Sequence, residues 1–261
     1  TEDGFLVIFG TGSYMTREDA DNEEIQSIYA IWDRGETSPA TAQPNSKYDR
    51  LVEQTLTNIV DDSGTPVQTR RALTSNSVIY EPDDVSTTGT YGWYIDLDMP
   101  RATQTTSGAA NPDSSGRNPP GAQFPGEKAI RRLVLRNGAI VTTTVLPSLD
   151  EFSCYGTRPG AILVLDAVTG GDIGRPVIDF NTDGVIDEND LLEDGGDTYS
   201  AGLLFNQGDL DGALVDLSTL GGEGDADWLF ACGGNDCLPF RIEPPDESRT
   251  GRLSWRELSD N

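Results

Sequence analysis

The sequence predicts an all-β fold, and three observations predict it. The apolar segments are short and rich in β-branched and aromatic residues, turn-forming residues separate them, and few stretches keep a helical periodicity for ten residues. The most helical stretch, residues 17–26, is acidic and has too little apolar surface to pack against a core. With 261 residues, the chain is long enough to bury a sizeable core.

Eight segments fit β-strands: residues 5–10, 26–33, 50–60, 91–97, 130–135, 139–146, 161–168 and 227–232. The fifth and sixth are predicted to form a hairpin, because Asn137 and Gly138 between them favour a tight turn. Residues 35–49 and 103–127 are rich in Ser, Thr, Pro, Gly and Ala, so each is predicted to be a long surface loop. Strand patterns of one type continue on both sides of these loops, which therefore read as insertions within one domain, 1–261.

A weak internal repeat narrows the all-β class. Residues 27–36, 161–171 and 227–235 each run small apolar residues into a Gly-containing turn. The middle copy ends in the turn LDAVTGG (165–171), which resembles the blade-ending turn of quinoprotein-like β-propellers. The copies are unevenly spaced, so insertions must separate them. The pattern favours a partial or modified propeller, and generic hairpins of a sandwich or barrel are the alternative.

Composition excludes several functions. Asp and Glu number 44 against 18 Lys and Arg, a formal net charge of -26 that disfavours nucleic acid and anionic membranes as partners. No apolar stretch approaches 18 residues, so no membrane insertion is expected. Histidine is absent, which removes the commonest general base and the usual zinc ligand. Only two of the 18 basic residues are Lys, and this Asp-rich, Lys-poor surface suits a salty or calcium-rich exterior, with acidic drift as the alternative.

Residues 179–190, DFNTDGVIDEND, predict a calcium loop. Oxygen ligands fall at positions 1, 3, 5, 9 and 12 of an EF-hand loop, a glycine stands at position 6, and position 7 offers a backbone carbonyl. The predicted ligands are Asp179, Asn181, Asp183, Val185, Asp187 and Asp190. Asp187 is expected to bind the ion through a water molecule. Asp190 stands where EF-hands usually carry Glu, and its side chain is shorter. No flanking helix of EF-hand length is visible, so we expect a loop inserted in a β-scaffold. A solvated acidic turn is the alternative.

Two of the three cysteines are close in sequence. Cys232 and Cys237 flank Gly-Gly-Asn-Asp, a turn flexible enough to bring their α-carbons within disulfide range. A disulfide is favoured, with free thiols as the alternative. A disulfide and a calcium loop together indicate a location outside the cytoplasm. Cys154 is then left without a predicted partner.

The chain contains, in this order, VIFGTGSYMT (7–16), QSIYAIWD (26–33), LVEQTLT (51–57), GWYIDL (92–97), GEKAIRRLVLRNGAIVTTTVLPS (126–148), a Cys-Gly segment at 154–156, LDAVTGG (165–171), the predicted calcium loop and RLSWREL (252–258). In this combination the segments resemble the C-terminal domain of the PilY family of type IV pilus proteins. The resemblance implies the later blades of an extracellular, modified β-propeller within a longer protein. It also implies calcium in the 179–190 loop and a role in pilus assembly, tip adhesion and twitching motility.

These observations predict a non-catalytic, calcium-binding protein of the type IV pilus at the cell surface. The expected partners are pilins or minor pilins, copies of the chain itself, and a host or abiotic surface. One alternative is a structural subunit of an extracellular filament whose open sheet edges pair between chains. The other is a fragment of a quinoprotein-type dehydrogenase, suggested by the turn at 165–171 and by calcium.

Overall fold

In the computed structural model, four β-sheets account for nearly all the regular structure of the described residues. The structure describes residues 4–33, 51–61, 68–80, 90–97, 126–130, 132–136, 138–146, 160–181, 183–194, 197–199, 202–205, 213–214, 227–233 and 236–242. The elements are β1 (Phe5–Gly10), α1 (Arg17–Ala20), β2 (Ser27–Asp33), β3 (Val52–Gln54), β4 (Leu56–Asp61), β5 (Gln68–Leu73), β6 (Gly92–Asp96), β7 (Val134–Arg136), β8 (Ala139–Thr143), β9 (Gly160–Asp166), the 3-10 helix η1 (Glu188–Asp190), β10 (Leu192–Asp194), β11 (Asp197–Tyr199), β12 (Gly202–Phe205), β13 (Ala213–Leu214), β14 (Asp227–Gly233) and β15 (Asp236–Ile242).

The sheets are mostly antiparallel. A four-stranded sheet has the order β1-β2-β6-β3, and a six-stranded sheet has the order β4-β5-β12-β9-β8-β7. Two smaller sheets contain β10-β11 and β13-β14-β15. The three copies of the weak repeat supply β2, β9 and β14, one to each of three different sheets. This distribution is the one expected when each copy belongs to a separate blade.

The predicted hairpin and most predicted strands are confirmed. β7 pairs with β8 in the register Leu135 opposite Ile140, and Gly138 has a φ of +77° that suits the tight turn. The predicted strand 50–60 is instead two strands in two sheets. β3 joins the four-stranded sheet and β4 the six-stranded one. An alternating pattern reports which residues are buried, but it does not report which sheet buries them.

The two larger sheets pack face to face around a shared apolar core. The four-stranded sheet contributes Ile28, Trp93 and Ile95, and the six-stranded sheet contributes Leu163 and Leu165. Each of these side chains is fully buried. Cross-strand partners share a face of a sheet, so the core residues of neighbouring strands form continuous rows.

The turn after β9 closes over this core. Asp166 Oδ1 accepts hydrogen bonds from the backbone N–H groups of Val168 (2.9 Å) and Thr169 (2.8 Å) and from the Thr169 hydroxyl (3.1 Å). Gly170 follows with a φ of +69°, and a Cβ atom at this position would overlap the ring of Trp93. The glycine therefore lets the turn approach the central tryptophan of the other sheet.

A buried ion pair lies between the two sheets. Arg71 donates from Nη1 and Nη2 to the two carboxylate oxygens of Glu127, at 2.7 and 2.8 Å, and both side chains are fully buried. The Thr144 hydroxyl donates to the same carboxylate. Arg71 stands opposite Gly202, and Gly202 opposite Leu163, so Arg71 lies on the core-facing side of the six-stranded sheet.

Glu127 belongs to a segment that ties the two sheets together. Lys128 exchanges backbone hydrogen bonds with Val145 beyond β8, and the Ala129 N–H donates to the carbonyl of Thr11 beyond β1. The prediction that surface loop 103–127 is exposed throughout is therefore wrong at Glu127, which Arg71 and Thr144 hold inside the core. Residues 103–125 and the predicted loop 35–49 lie outside the described part of the chain.

Removing one partner of the ion pair should strongly lower the free energy of unfolding. We expect Glu127→Gln to lower the free energy of unfolding by about 3–5 kcal/mol, because it leaves the Arg71 charge buried without a counter-charge. Urea denaturation measures this change, and the exposed Glu193→Gln is the matched control. The double variant Arg71→Met with Glu127→Leu should recover much of the loss. A loss below about 1 kcal/mol for the single variant would contradict this role of the pair.

Candidate metal centre

The predicted calcium loop runs along the side of the six-stranded sheet that faces away from the shared core. Its two ends are anchored by buried residues: Ile178 and Phe180 at the start, and Leu192 just after η1. All six predicted ligands are described, and of residues 179–190 Thr182 alone lies outside the described residues. No long helix flanks the loop among the described residues, as the sequence predicted.

The first half of the loop is coiled by its own side chains. Asp179 accepts hydrogen bonds from the N–H groups of Asp183 (3.2 Å) and Gly184 (2.9 Å), which lie four and five residues further on. Asn181 Oδ1 accepts from Asp183 N–H at 2.8 Å, and Asp183 Oδ1 accepts from Val185 N–H at 2.8 Å. Gly184 has a φ of +90°, which favours glycine at this turn. Asp179 and Asn181 thus both hold the backbone at Asp183, which curls the first half of the loop.

The second half is closed by Asp190. Its Oδ1 accepts from Asn181 N–H at 3.1 Å, and its Oδ2 accepts from Asp187 N–H at 3.0 Å. Asp187 caps η1 through a hydrogen bond from Asn189 N–H at 2.8 Å. Asp190 is thus the residue that joins the two halves of the loop, although its side chain is one methylene shorter than the Glu that EF-hands carry at this position.

Two carboxylates of the loop are buried. Asp179 is 4% exposed and Asp190 is 1% exposed. Burial raises the pKa of Asp190 above its ordinary value, and the charge of Asp179 adds to this rise, whereas the backbone N–H groups of Asp187 and Asn181 lower it. A cation placed between such carboxylates would offset both the desolvation and the mutual repulsion.

The donor set fits calcium in its chemistry. Carboxylate, amide and backbone carbonyl oxygens are the ligands that Ca²⁺ takes, and the loop offers all three kinds. Asn181 and Asp183 are exposed and Asp187 is half-buried, so this side of the loop is open to solvent. Among the described residues no three His, Cys, Asp or Glu side chains are gathered as they would be around an ion. The calcium site therefore remains a prediction, and binding would require the carboxylates to draw together.

Arg70, which the sequence analysis did not single out, fixes this loop to the sheet. Its Nη2 donates to the carbonyl of Asp190 at 2.5 Å, and its guanidinium lies 4.6 Å from the centre of the Phe180 ring. The side chain is buried. Since successive side chains of a strand point to opposite faces, Arg70 faces the loop while its neighbour Arg71 faces the shared core. Two adjacent arginines in the short segment QTRRAL were the available signal for this arrangement.

Asp19 lies on the surface and accepts hydrogen bonds from the N–H groups of Met15 and Thr16, which lower its pKa. Cys154 lies outside the described residues. Cys232 and Cys237 stand directly opposite each other in the β14–β15 register, where the structure describes the backbone of the hairpin.

Comparisons with known proteins agree with the predicted resemblance. Residues 1–66 match the family model of the PilY1 beta-propeller domain. A type IV pilus biogenesis factor PilY1 from Pseudomonas aeruginosa is 25% identical over 268 residues, which cover 98% of this chain and 20% of the relative. A PilY1 homolog from Xylella fastidiosa is 28% identical over 178 residues, covering 68% of this chain and 11% of the relative.

A solved structure shows the same fold. The crystal structure of the Pseudomonas aeruginosa PilY1 C-terminal domain superposes with a TM-score of 0.65 at 23% identity, over 93% of this chain and 43% of the solved one. The predicted resemblance and the all-β propeller class are confirmed. The chain spans about a fifth or less of the length of the curated relatives that it matches.

The register of β14 and β15 makes the predicted disulfide testable. Opposed α-carbons of an antiparallel pair lie about 4.5–5.5 Å apart, within the range that a disulfide spans. We expect a non-reduced digest to contain Cys232 and Cys237 in one looped peptide, with Cys154 alkylated after unfolding. Replacing both with Ser should lower the free energy of unfolding by about 2 kcal/mol, whereas Cys154→Ser should leave the linkage intact. A bond from Cys154 to either residue would refute the pairing.

Proposed function

The chain resembles the PilY1 family along almost its whole length, and from this premise we propose that it is a calcium-binding, non-catalytic component of a type IV pilus. The observation that carries the calcium part is the loop at 179–190, which is coiled by its own side chains around two buried carboxylates. The pilus part is supported by its relatives, which are named as type IV pilus biogenesis factors. On this proposal the protein acts at the cell surface, with pilins or minor pilins as partners and a host or abiotic surface as the adhesion target.

Each predicted ligand has a defined part in holding the ion. Asp179, Asn181 and Asp183 would contribute side-chain oxygens from the coiled half, and Val185 would contribute its carbonyl. Asp187 would act through water, and Asp190 would bind from the buried end, which Arg70 fixes by its bond to the Asp190 carbonyl. The positive charge of calcium would offset the repulsion between the carboxylates of the loop. The bound ion would therefore reduce the mobility of the loop against the sheet.

The proposal treats calcium as a stabiliser and not as an opening switch. The switch of calcium sensors works through a pair of helices that change their angle. Here the loop ends in η1, a single turn, and the short strand β10 follows. A more rigid loop would restrain β5 through the contact of Arg70 with Asp190. It would restrain the shared core through Arg71, the next residue of β5.

A catalytic alternative finds little support. The turn at 165–171 suggested a quinoprotein-type enzyme, but Asp166 in that turn accepts three hydrogen bonds from Val168 and Thr169 and so shapes the turn itself. The sequence also contains no histidine for acid–base chemistry. The relatives are named for pilus biogenesis. These observations favour a role in binding and assembly.

Calcium should stabilise the folded protein through this loop. An ion at a hundred times its Kd stabilises the folded form by about 2.7 kcal/mol, which for a domain of this size corresponds to a rise in Tm of about 5–10 °C. We expect this rise when calcium is added to the chelated protein, and we expect Asp179→Ala with Asp183→Ala to abolish it. Val185→Ala is the matched control, because it alters an exposed side chain and keeps the carbonyl ligand. A double variant that responds like the parent would refute the site.

The pilus role is tested in the native host. Deleting the gene should reduce surface pili and twitching motility, and normal piliation in the deletion strain would refute the role. The double variant Asp179→Ala with Asp183→Ala should reproduce part of the deletion phenotype, whereas Val185→Ala should behave as the parent. Normal motility in a double variant whose Tm no longer responds to calcium would show that the ion only stabilises the fold.

A further inference from the structure

Lys128 carries a buried amine that neither the ion pair nor the calcium loop uses. The residue is 1% exposed, and its Nζ donates a hydrogen bond to the backbone carbonyl of Asn22 at 3.2 Å. The same carbonyl lies against Gly126, where a Cβ atom would approach its oxygen to 2.7 Å. The backbone around Lys128 is therefore packed closely on Asn22, and the amine is held at that residue although 106 positions separate the two in the chain.

The surroundings of Lys128 favour a nucleophilic amine. Burial lowers the pKa of Lys128, whereas the charges of Asp19 and Glu24 raise it by a smaller amount. A lower pKa increases the fraction of neutral amine, and the neutral amine is the nucleophilic form. The two carboxylates also provide acceptors for a proton that the amine loses.

The side-chain amide of Asn22 is held at both of its ends by Glu24. Its Oδ1 accepts a hydrogen bond from the Glu24 backbone N–H at 2.7 Å, and its Nδ2 donates to Glu24 Oε2 at 3.3 Å. The N–H group would stabilise the negative charge that develops on Oδ1 when a nucleophile adds to the amide carbon. The carboxylate lies next to the nitrogen that would leave, so it can deliver a proton to that nitrogen. This arrangement activates the amide of Asn22 toward an incoming amine.

We propose that Lys128 and Asn22 form an intramolecular isopeptide bond, with Glu24 as the catalytic residue. The Lys128 Nζ adds to Cγ of Asn22, and the bond between Cγ and Nδ2 breaks. Glu24 carries protons from Nζ to Nδ2, which leaves as ammonia. A lysine ammonium and a primary amide are consumed, and a secondary amide and an ammonium ion are formed. Atoms and charge therefore balance without an oxidant or any other co-reactant.

The movement that the reaction requires is small. Nζ already contacts the backbone oxygen of Asn22, and the reacting carbon belongs to the same residue. The lysine side chain is a flexible stem, so rotation about its bonds can bring Nζ from the backbone oxygen to the side-chain carbon. The two hydrogen bonds of Glu24 meanwhile keep the amide in place.

The bond closes a covalent loop over residues 22–128. This loop contains β2 to β6 and thus strands of both larger sheets. Tension applied to the chain passes across such a bond and does not load the strands inside the loop. A cross-link that closes a long loop also restricts the unfolded chain, which stabilises the folded form. The inference goes beyond the proposed function, because it depends neither on calcium nor on the pilus.

Peptide mapping of the purified complete protein tests the bond. Trypsin should leave Lys128 uncut and release residues 18–34 joined to residues 118–131, with the summed mass of the two peptides less one ammonia. Fragment spectra should place the link at Asn22 and Lys128. Separate peptides with cleavage after Lys128 would overturn the proposal. A link that forms with loss of water, to the carboxyl group of Asp19 or Glu24, would overturn it as well.

Two adjacent glutamates distinguish the proposed chemistry from packing. Glu23 and Glu24 are both exposed, so replacing either with Gln should leave the fold intact. General acid–base catalysis contributes about 10²–10⁴-fold to a rate, so we expect Glu24→Gln to lower the linked fraction at least about tenfold. Glu23→Gln is the matched control and should be linked to the same extent as the parent. Equal linkage in the two variants would remove Glu24 from the reaction and overturn the proposed mechanism.

Discussion

The buried ion pair between Arg71 and Glu127 is the interaction on which the rest of the structure depends. It lies between the two larger sheets, where an isolated charge would cost several kcal/mol. Each charge is buried only because the other is present, and Thr144 satisfies a further lone pair of the carboxylate. The pair therefore requires β5 and the segment 126–130 to meet, and that segment in turn links the ends of β1 and β8.

Strand β5 connects this core to the candidate calcium loop. Arg70 and Arg71 are neighbours in β5, and they point to opposite faces of the sheet. Arg71 holds the ion pair of the core, whereas Arg70 holds the carbonyl of Asp190 and lies against Phe180. The residue that contacts the loop and the residue that contacts the core are therefore adjacent in one strand. This path gives a physical reason why a surface ion could affect the stability of the whole domain.

The two large sheets differ in how their faces are used. The six-stranded sheet is covered on both sides, by the shared core and by the region of the candidate calcium loop, and β9, with the sequence GAILVLD, is correspondingly apolar up to its last residue. The four-stranded sheet is covered on its inner side, and its alternation places Phe5, Val7 and Phe9 outward.

The sequence by itself determined the all-β class, most of the strands, the hairpin at Gly138 and the spacing of the candidate ligands, because these depend on local patterns of period, turn chemistry and loop geometry. The tertiary structure alone decided three features. The apparent strand 50–60 divides between two sheets, since its alternation is the same whichever sheet buries it. β5 was missed because its sequence, QTRRAL, looks polar until distant groups pair with both arginines. Glu127 was assigned to a surface loop because its partner Arg71 is 56 residues away in the chain. In each case the deciding partner is remote in sequence, and no local pattern reports the pairing of a buried charge.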